Sequence, residues 1–127
     1  MKMIESPIKN RIHTIFVHVA DLRRSVIWYC DLLGQEYDES MIVDPVYNIP
    51  INDYTGLTLD SGPSGIEKVI APSPHPLFNF HTEDIQRAYE FVRKIGCEIC
   101  SPIIDFDDFS FFHVKDPDGN IVMVCTG

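Results

Sequence analysis

Between Thr14 and Val19 apolar and polar positions alternate. Ile15, Val17 and Val19 fall on one side of an extended backbone, and Thr14, Phe16 and His18 on the other. Period two with β-branched residues on one face predicts a half-buried strand. From Leu22 the period lengthens, and Leu22, Val26, Tyr29 and Leu33 recur at helical spacing. Asp21, just before them, can accept the free amides of a first turn. Gly34, just after them, suits the left-handed residue that ends a helix. Thr14 to Gly34 therefore reads as strand, tight connection and helix.

The same phrase returns 63 residues later, in Leu77 to Gly96. His18 falls on His81, Asp21 on Asp84, Leu22 on Ile85, Arg24 on Arg87 and Trp28 on Phe91. A repeated supersecondary phrase is the mark of two copies of one module. A module of roughly 60 residues is marginal alone, so the two copies are expected to share a core. The division predicted is one domain over residues 1–127, with module one at 11–70, a linker at 71–76 and module two at 77–127.

The remaining segments fill in the modules. Met1 to Arg11 is polar and expected to fray in part. Gln35 to Met41 is acidic and compatible with a short strand. Ile42 to Ile51 alternates, but Pro45 and Pro50 demote it to an edge or bulged strand. Gly56 to Asp60 reads as a strand and Ser61 to Gly65 as a turn. Pro72, Pro74 and Pro76 forbid a helix and make the linker extended and stiff. Glu98 to Ile104 reads as a strand and Asp105 to Asp108 as a loop. Phe109 to Val114 and Ile121 to Cys125 form a hairpin around Asp116-Pro117-Asp118-Gly119, with proline and glycine where a tight turn needs them. Each module thus reads as a strand, a helix and about three further strands.

Charge and cysteine content narrow the function. A net charge of −9 argues against nucleic-acid binding, which needs a basic footprint, and suits a cationic small ligand. The first ten residues lack the apolar core of a signal peptide, and no apolar run reaches membrane-spanning length. A cytoplasmic location is expected, with Cys30, Cys97, Cys100 and Cys125 as free thiols. Cys97 and Cys100 have C-x-x-C spacing but follow a helix, whereas redox pairs sit at a helix N-terminus. Asp116 and Asp118 read as turn residues, His75 as an exposed linker residue, and Trp28 and Phe91 as core or interface. No G-x-S-x-G elbow and no phosphate-cradling glycine loop are present.

VADLRRSVIWYCDLLG, TEDIQRAYEFVRKIG and KDPDGNIVMVC, in this order, resemble the vicinal oxygen chelate superfamily, which holds glyoxalases, bleomycin-resistance proteins and extradiol dioxygenases. The resemblance implies an α+β fold of two βαβββ modules whose curled mixed sheets surround a shared cavity. It also implies frequent homodimers and, in the enzymes, a divalent metal held by four side chains. The positions it assigns to those ligands carry Thr14, Thr58, Leu77 and Met123 here. Leucine and methionine offer nothing to a hard divalent ion, so the standard metal site is expected to be missing.

Within that resemblance, the strand faces that look into the cavity carry Phe16 and His18, then Asn79 and His81. Thr58 and Asp60 join from module one. The hairpin adds Phe111 and His113, and Ile121, Met123 and Cys125. The candidate ligand-binding residues are therefore His18, His81, His113, Phe16, Asn79, Phe111, Asp60 and Met123. The leading expectation is a metal-free protein that binds an aromatic or cationic small molecule, forms a homodimer and meets neither nucleic acid nor membrane. Two others stay open. One is a metal-dependent lyase or dioxygenase in which His18, His81 and His113 hold zinc, iron or manganese. The other is a dimeric scaffold without a ligand.

Overall fold

The structure, a computed structural model, describes residues 4–127. Of the polar N-terminal segment, Met1 to Met3 lie outside the described residues. Eight strands and two α-helices follow, in two sheets. Strand β1 is Thr14–His18 and helix α1 is Leu22–Leu33. Asp21 caps α1 by accepting from the Arg24 amide, and Gly34 closes it at φ 67°, returning its own amide to Asp31 and Cys30 carbonyls. Strands β2, Val46–Pro50, and β3, Gly56–Asp60, complete the first sheet in the order β1-β3-β2. Strand β1 runs parallel to β3 and β2 antiparallel to it, and β2 lies at an edge, where its Pro50 is tolerated.

The second half repeats the plan. Strand β4 is Asn79–His81 and helix α2 is Ile85–Lys94, capped by Asp84 through the Arg87 amide. Strands β5, Glu98–Ile99, and β6, Ile104–Asp105, both pair with β7, Ser110–Lys115. Strand β8, Ile121–Cys125, joins β7 to β4, giving the order β4-β8-β7-β5. The α+β architecture of two curled halves is as the repeat predicts, and linker residues 71–76 carry no helix or strand.

Two segments depart from the pattern. Gln35 to Met41 contains no strand: Glu39–Met41 is a single 3-10 turn capped by the Asp38 carboxylate. The Asp38 amide donates to Tyr47 Oη, and Arg23 reaches Glu39, so the segment folds back on module one instead of extending its sheet. Module one accordingly has two strands after its helix. Glu98 to Ile104 is not one strand either, and Asp105 belongs to β6. Pro102 lacks the amide a ladder needs, and the His113 amide donates to the Ser101 hydroxyl instead of to a ladder carbonyl.

One apolar cluster joins the halves. Val17 and Val19, Val26 and Tyr29 of α1, Leu57 and Leu59, Val92 of α2, and Phe112, Val114 and Val122 are all buried in it. Helix faces at spacing three and four cover the β-branched faces of both sheets, which leaves the alternate faces open. Phe16 (57 % exposed) lies on the open face of β1 while Val17 has no exposure, and its row mate Thr58, on the central strand, is buried.

A second tie is polar. Tyr29 donates its phenol to Asp116 Oδ2 at 2.7 Å, and Asn120 donates to the same oxygen through its side-chain amide at 3.0 Å. Asp116 Oδ1 accepts the Asp118 and Asn120 amides, both at 2.9 Å. Burial, with Asp116 beside it, pushes the Tyr29 phenol far above its ordinary value, so it stays a neutral donor. Asp118 accepts the Ala20 amide at 3.1 Å at the start of α1. The Asp-Pro-Asp-Gly turn is therefore a structural turn, and it also latches module two to helix α1.

Candidate functional site

Strand β1 ends in Phe16, Val17 and His18, and alternation turns Phe16 and His18 away from the core. The cross-strand partner of His18 is Asp60, at the end of β3. The chain then turns through Ser61 to Gly65, and the Gly62 amide donates to Asp60 Oδ1 at 2.8 Å. That turn returns Lys68 over the strand ends. Lys68 Nζ lies 2.7 Å from His18 Nδ1 and 2.7 Å from the Asp60 carbonyl oxygen. Its distance to Asp60 Oδ1 is 3.8 Å.

Beside this polar cluster is a cleft of about 360 Å³. Phe16, Val69 and Leu77 form apolar walls, His18 and Lys68 stand at one end, and Asn120 comes from the second module. Phe16 and Leu77 are more than half and half exposed respectively, so the walls are open to solvent. An apolar cleft with a few convergent polar groups is the usual form of a small-molecule site.

The other candidates lie elsewhere. Asn79, Met123 and His113 share one row of the second sheet, and His81, Cys125 and Phe111 the next. Asn79 Nδ2 is 3.8 Å from the Met123 sulfur, and both line a shallow hollow with Pro76 and Phe78. Phe106, Phe109, Phe111 and His113 form an aromatic ladder with ring centroids 5.0, 6.1 and 5.3 Å apart. His113 Nε2 is buried without a protein partner among the described residues, and burial lowers the pKa of the ring. His81 lines a third hollow, with Leu32, Leu33, Arg87 and Phe91.

The expected single lining is thus divided. Phe16 and His18 share one cleft and Asp60 sits beside His18 across the strands without lining that cleft, whereas His81 and His113 do not join His18. Among the described residues no three His, Cys, Asp or Glu side chains form a group that could hold a metal ion. Cys125 does not line an open face: it is buried, its sulfur accepting the Gly127 amide at 3.2 Å and facing Phe109 across that glycine. Burial raises the Cys97 thiol, so Cys97 is not held as the stabilised thiolate of a redox site. Lys68 is the residue missed by sequence reasoning. It lies in an irregular segment, and only its spacing of eight from Asp60 could have hinted that it returns.

A family model, described as Glyoxalase/Bleomycin resistance protein/Dioxygenase superfamily, matches residues 11–124. The chain belongs to that superfamily. No curated protein matches it in sequence. Solved structures do match in shape. UcmS2 superposes with a TM-score of 0.76 at 17 % identity, over 94 % of this chain and 100 % of that one. A lactoylglutathione lyase from Agrobacterium tumefaciens gives 0.69 at 16 %, over 92 % and 93 %. A glyoxalase/dioxygenase from Nostoc punctiforme gives 0.68 at 20 %, over 98 % and 97 %. These similarities show the glyoxalase fold.

The four positions that resemblance to the superfamily assigns to a metal do not fit one here. The Thr58 hydroxyl is buried and bonded to Asn48 Oδ1 at 2.5 Å. Leu77 has no donor, and Met123 offers a thioether, a poor ligand for a hard ion. Thr14 and Thr58 supply only neutral hydroxyls, and no carboxylate or imidazole stands at the four positions. Metal-dependent glyoxalase chemistry therefore has no donor set at those positions.

Proposed function

We propose that this superfamily member binds a small organic molecule in the cleft between β1 and the 68–77 connection, without a metal at positions 14, 58, 77 and 123. The observation that supports the reading is the pairing of exposed apolar walls, Phe16 and Leu77, with the His18–Lys68 cluster at one end. Exposed aromatic surface beside a fixed polar group is costly to leave wet and favourable to cover. In this reading Phe16 and Leu77 hold the ligand body, and His18 and Lys68 orient its polar group. Asn79, Phe111, His113 and Met123 belong to a separate face of the second sheet. A homodimer belongs to the same proposal. Strands β1 and β4 are each hydrogen-bonded on one side only, and a second copy is a general remedy for open edges.

Native mass spectrometry of untagged protein, with elemental analysis of the same sample, tests this reading. A retained organic mass that is lost in Phe16→Ala, with no stoichiometric metal, is the expected result. Near-stoichiometric zinc, iron or manganese that disappears in His18→Ala would replace it with the metal-dependent reading. Sedimentation at micromolar concentration reads the dimer, and a monomer there refutes that part.

A further inference from the structure

We propose that the His18–Lys68 end of the cleft is a donor subsite that selects a carboxylate carried on an aromatic body. It rests on the small-molecule reading above and names the class of ligand. The argument starts from hydrogen-bond inventory. A lysine ammonium has three donors and no acceptor. Lys68 Nζ is 2.7 Å from His18 Nδ1 and 2.7 Å from the Asp60 carbonyl oxygen, so both of those atoms must accept. A neutral imidazole that accepts at Nδ1 carries its proton on Nε2. His18 is exposed and lines the cleft, so the ring nitrogen left for a ligand is an N–H donor.

Lys68 keeps a third N–H. The nearest carboxylate oxygen, Asp60 Oδ1, is 3.8 Å away, beyond hydrogen-bond length, and already accepts the Gly62 amide at 2.8 Å. The ion pair with Asp60 stays at that longer distance, which leaves the third N–H without a partner at hydrogen-bond length and available to a ligand. The cluster therefore presents donors to the cleft, where a cation would need acceptors. An expectation of a cationic ligand from the net charge of −9 concerns the far field, which salt screens within about 10 Å. Contacts inside the cleft decide the sign, and charge-assisted bonds to a carboxylate are the strong ones. The apolar walls of Phe16 and Leu77, and a volume of about 360 Å³, fit one aromatic ring with a short acid arm.

Three probes with one ring and different polar groups separate the cases: benzoate, benzyl alcohol and benzylamine. Each is titrated into the full chain and followed by NMR shifts of Phe16, His18 and Lys68. Benzoate is expected to bind about tenfold tighter than benzyl alcohol, with benzylamine no better than the alcohol. Lys68→Met should erase the benzoate advantage, so that benzoate binds no tighter than benzyl alcohol to that variant, while Lys68→Arg, which keeps donors, should retain part of it. The nitrogen shifts of His18 should report the Nε2–H tautomer in the unliganded protein. Equal binding of all three probes, or preference for benzylamine, with Phe16→Ala still weakening them, overturns the donor subsite and spares the small-molecule reading. A His18 tautomer protonated at Nδ1 also overturns it. Binding of no probe, or binding that Phe16→Ala leaves untouched, overturns both.

Discussion

The two halves of the molecule say nearly the same thing in sequence and use it differently. Each has a strand ending in histidine, an aspartate cap, a helix and a closing hairpin. The turn of the first hairpin is exposed, where Asn52 Oδ1 accepts the Tyr54 and Thr55 amides at 2.9 and 2.8 Å. The turn of the second is buried, where Asp116 takes the same local role and also receives Tyr29 from the other half. His18 meets a lysine and a cleft, while its counterpart His81 meets helices α1 and α2. Local sequence sets the element. What arrives from elsewhere in the chain sets whether that element stabilises, binds or merely turns.

The sharpest way to break this comparison is at the two turns. Asp116→Ala should cost about 3 kcal/mol, because Tyr29 and Asn120 lose a buried partner together. Asn52→Ala should cost under about 1 kcal/mol, since water replaces its bonds. Urea unfolding of both variants reads the difference, and equal losses would erase the contrast between the halves. Tyr29→Phe should fall between them, at about 1 to 2 kcal/mol, and a double mutant with Asp116→Ala should be less than additive.

His113, in the second half, adds a pH dependence. Its folded pKa is lowered by burial from an ordinary value of 6.5. Below that value the unfolded chain takes up a proton that the folded ring resists. Stability should therefore fall as pH drops below about 6.5 and level off once the folded ring protonates. His113→Phe, which continues the Phe109–Phe111 ladder, should flatten this part of the profile measured between about pH 5 and pH 7. An unchanged slope would show that another group carries it.

The smallest effect expected on stability is at the site. Lys68→Met should shift unfolding by under about 1 kcal/mol, because the ion pair with Asp60 is long and partly open to solvent. A large loss would mean that Lys68 holds the fold instead of serving the cleft.

Much of the fold was legible from periodicity and caps. Leu22, Val26 and Tyr29 all point to the core, and Asp21, Gly34 and Asp84 end their helices where the pattern puts them. These signals are local, since a cap acts within one turn and alternation within one strand. Gln35 to Met41 failed because its acidic residues carry no clear period, so the Asp38 cap and the Arg23–Glu39 contact chose a 3-10 turn. Within the site, alternation exposed Phe16 and His18, and the parallel register beside β3 supplied Asp60. The aligned histidines gave no hint that they would part. Tertiary structure alone returned Lys68 to His18 across 50 positions of chain, and Tyr29 to Asp116 across 87. A hydrogen bond between distant residues leaves no period in the sequence. It exists only once the apolar core has set the two sheets and their connections in place.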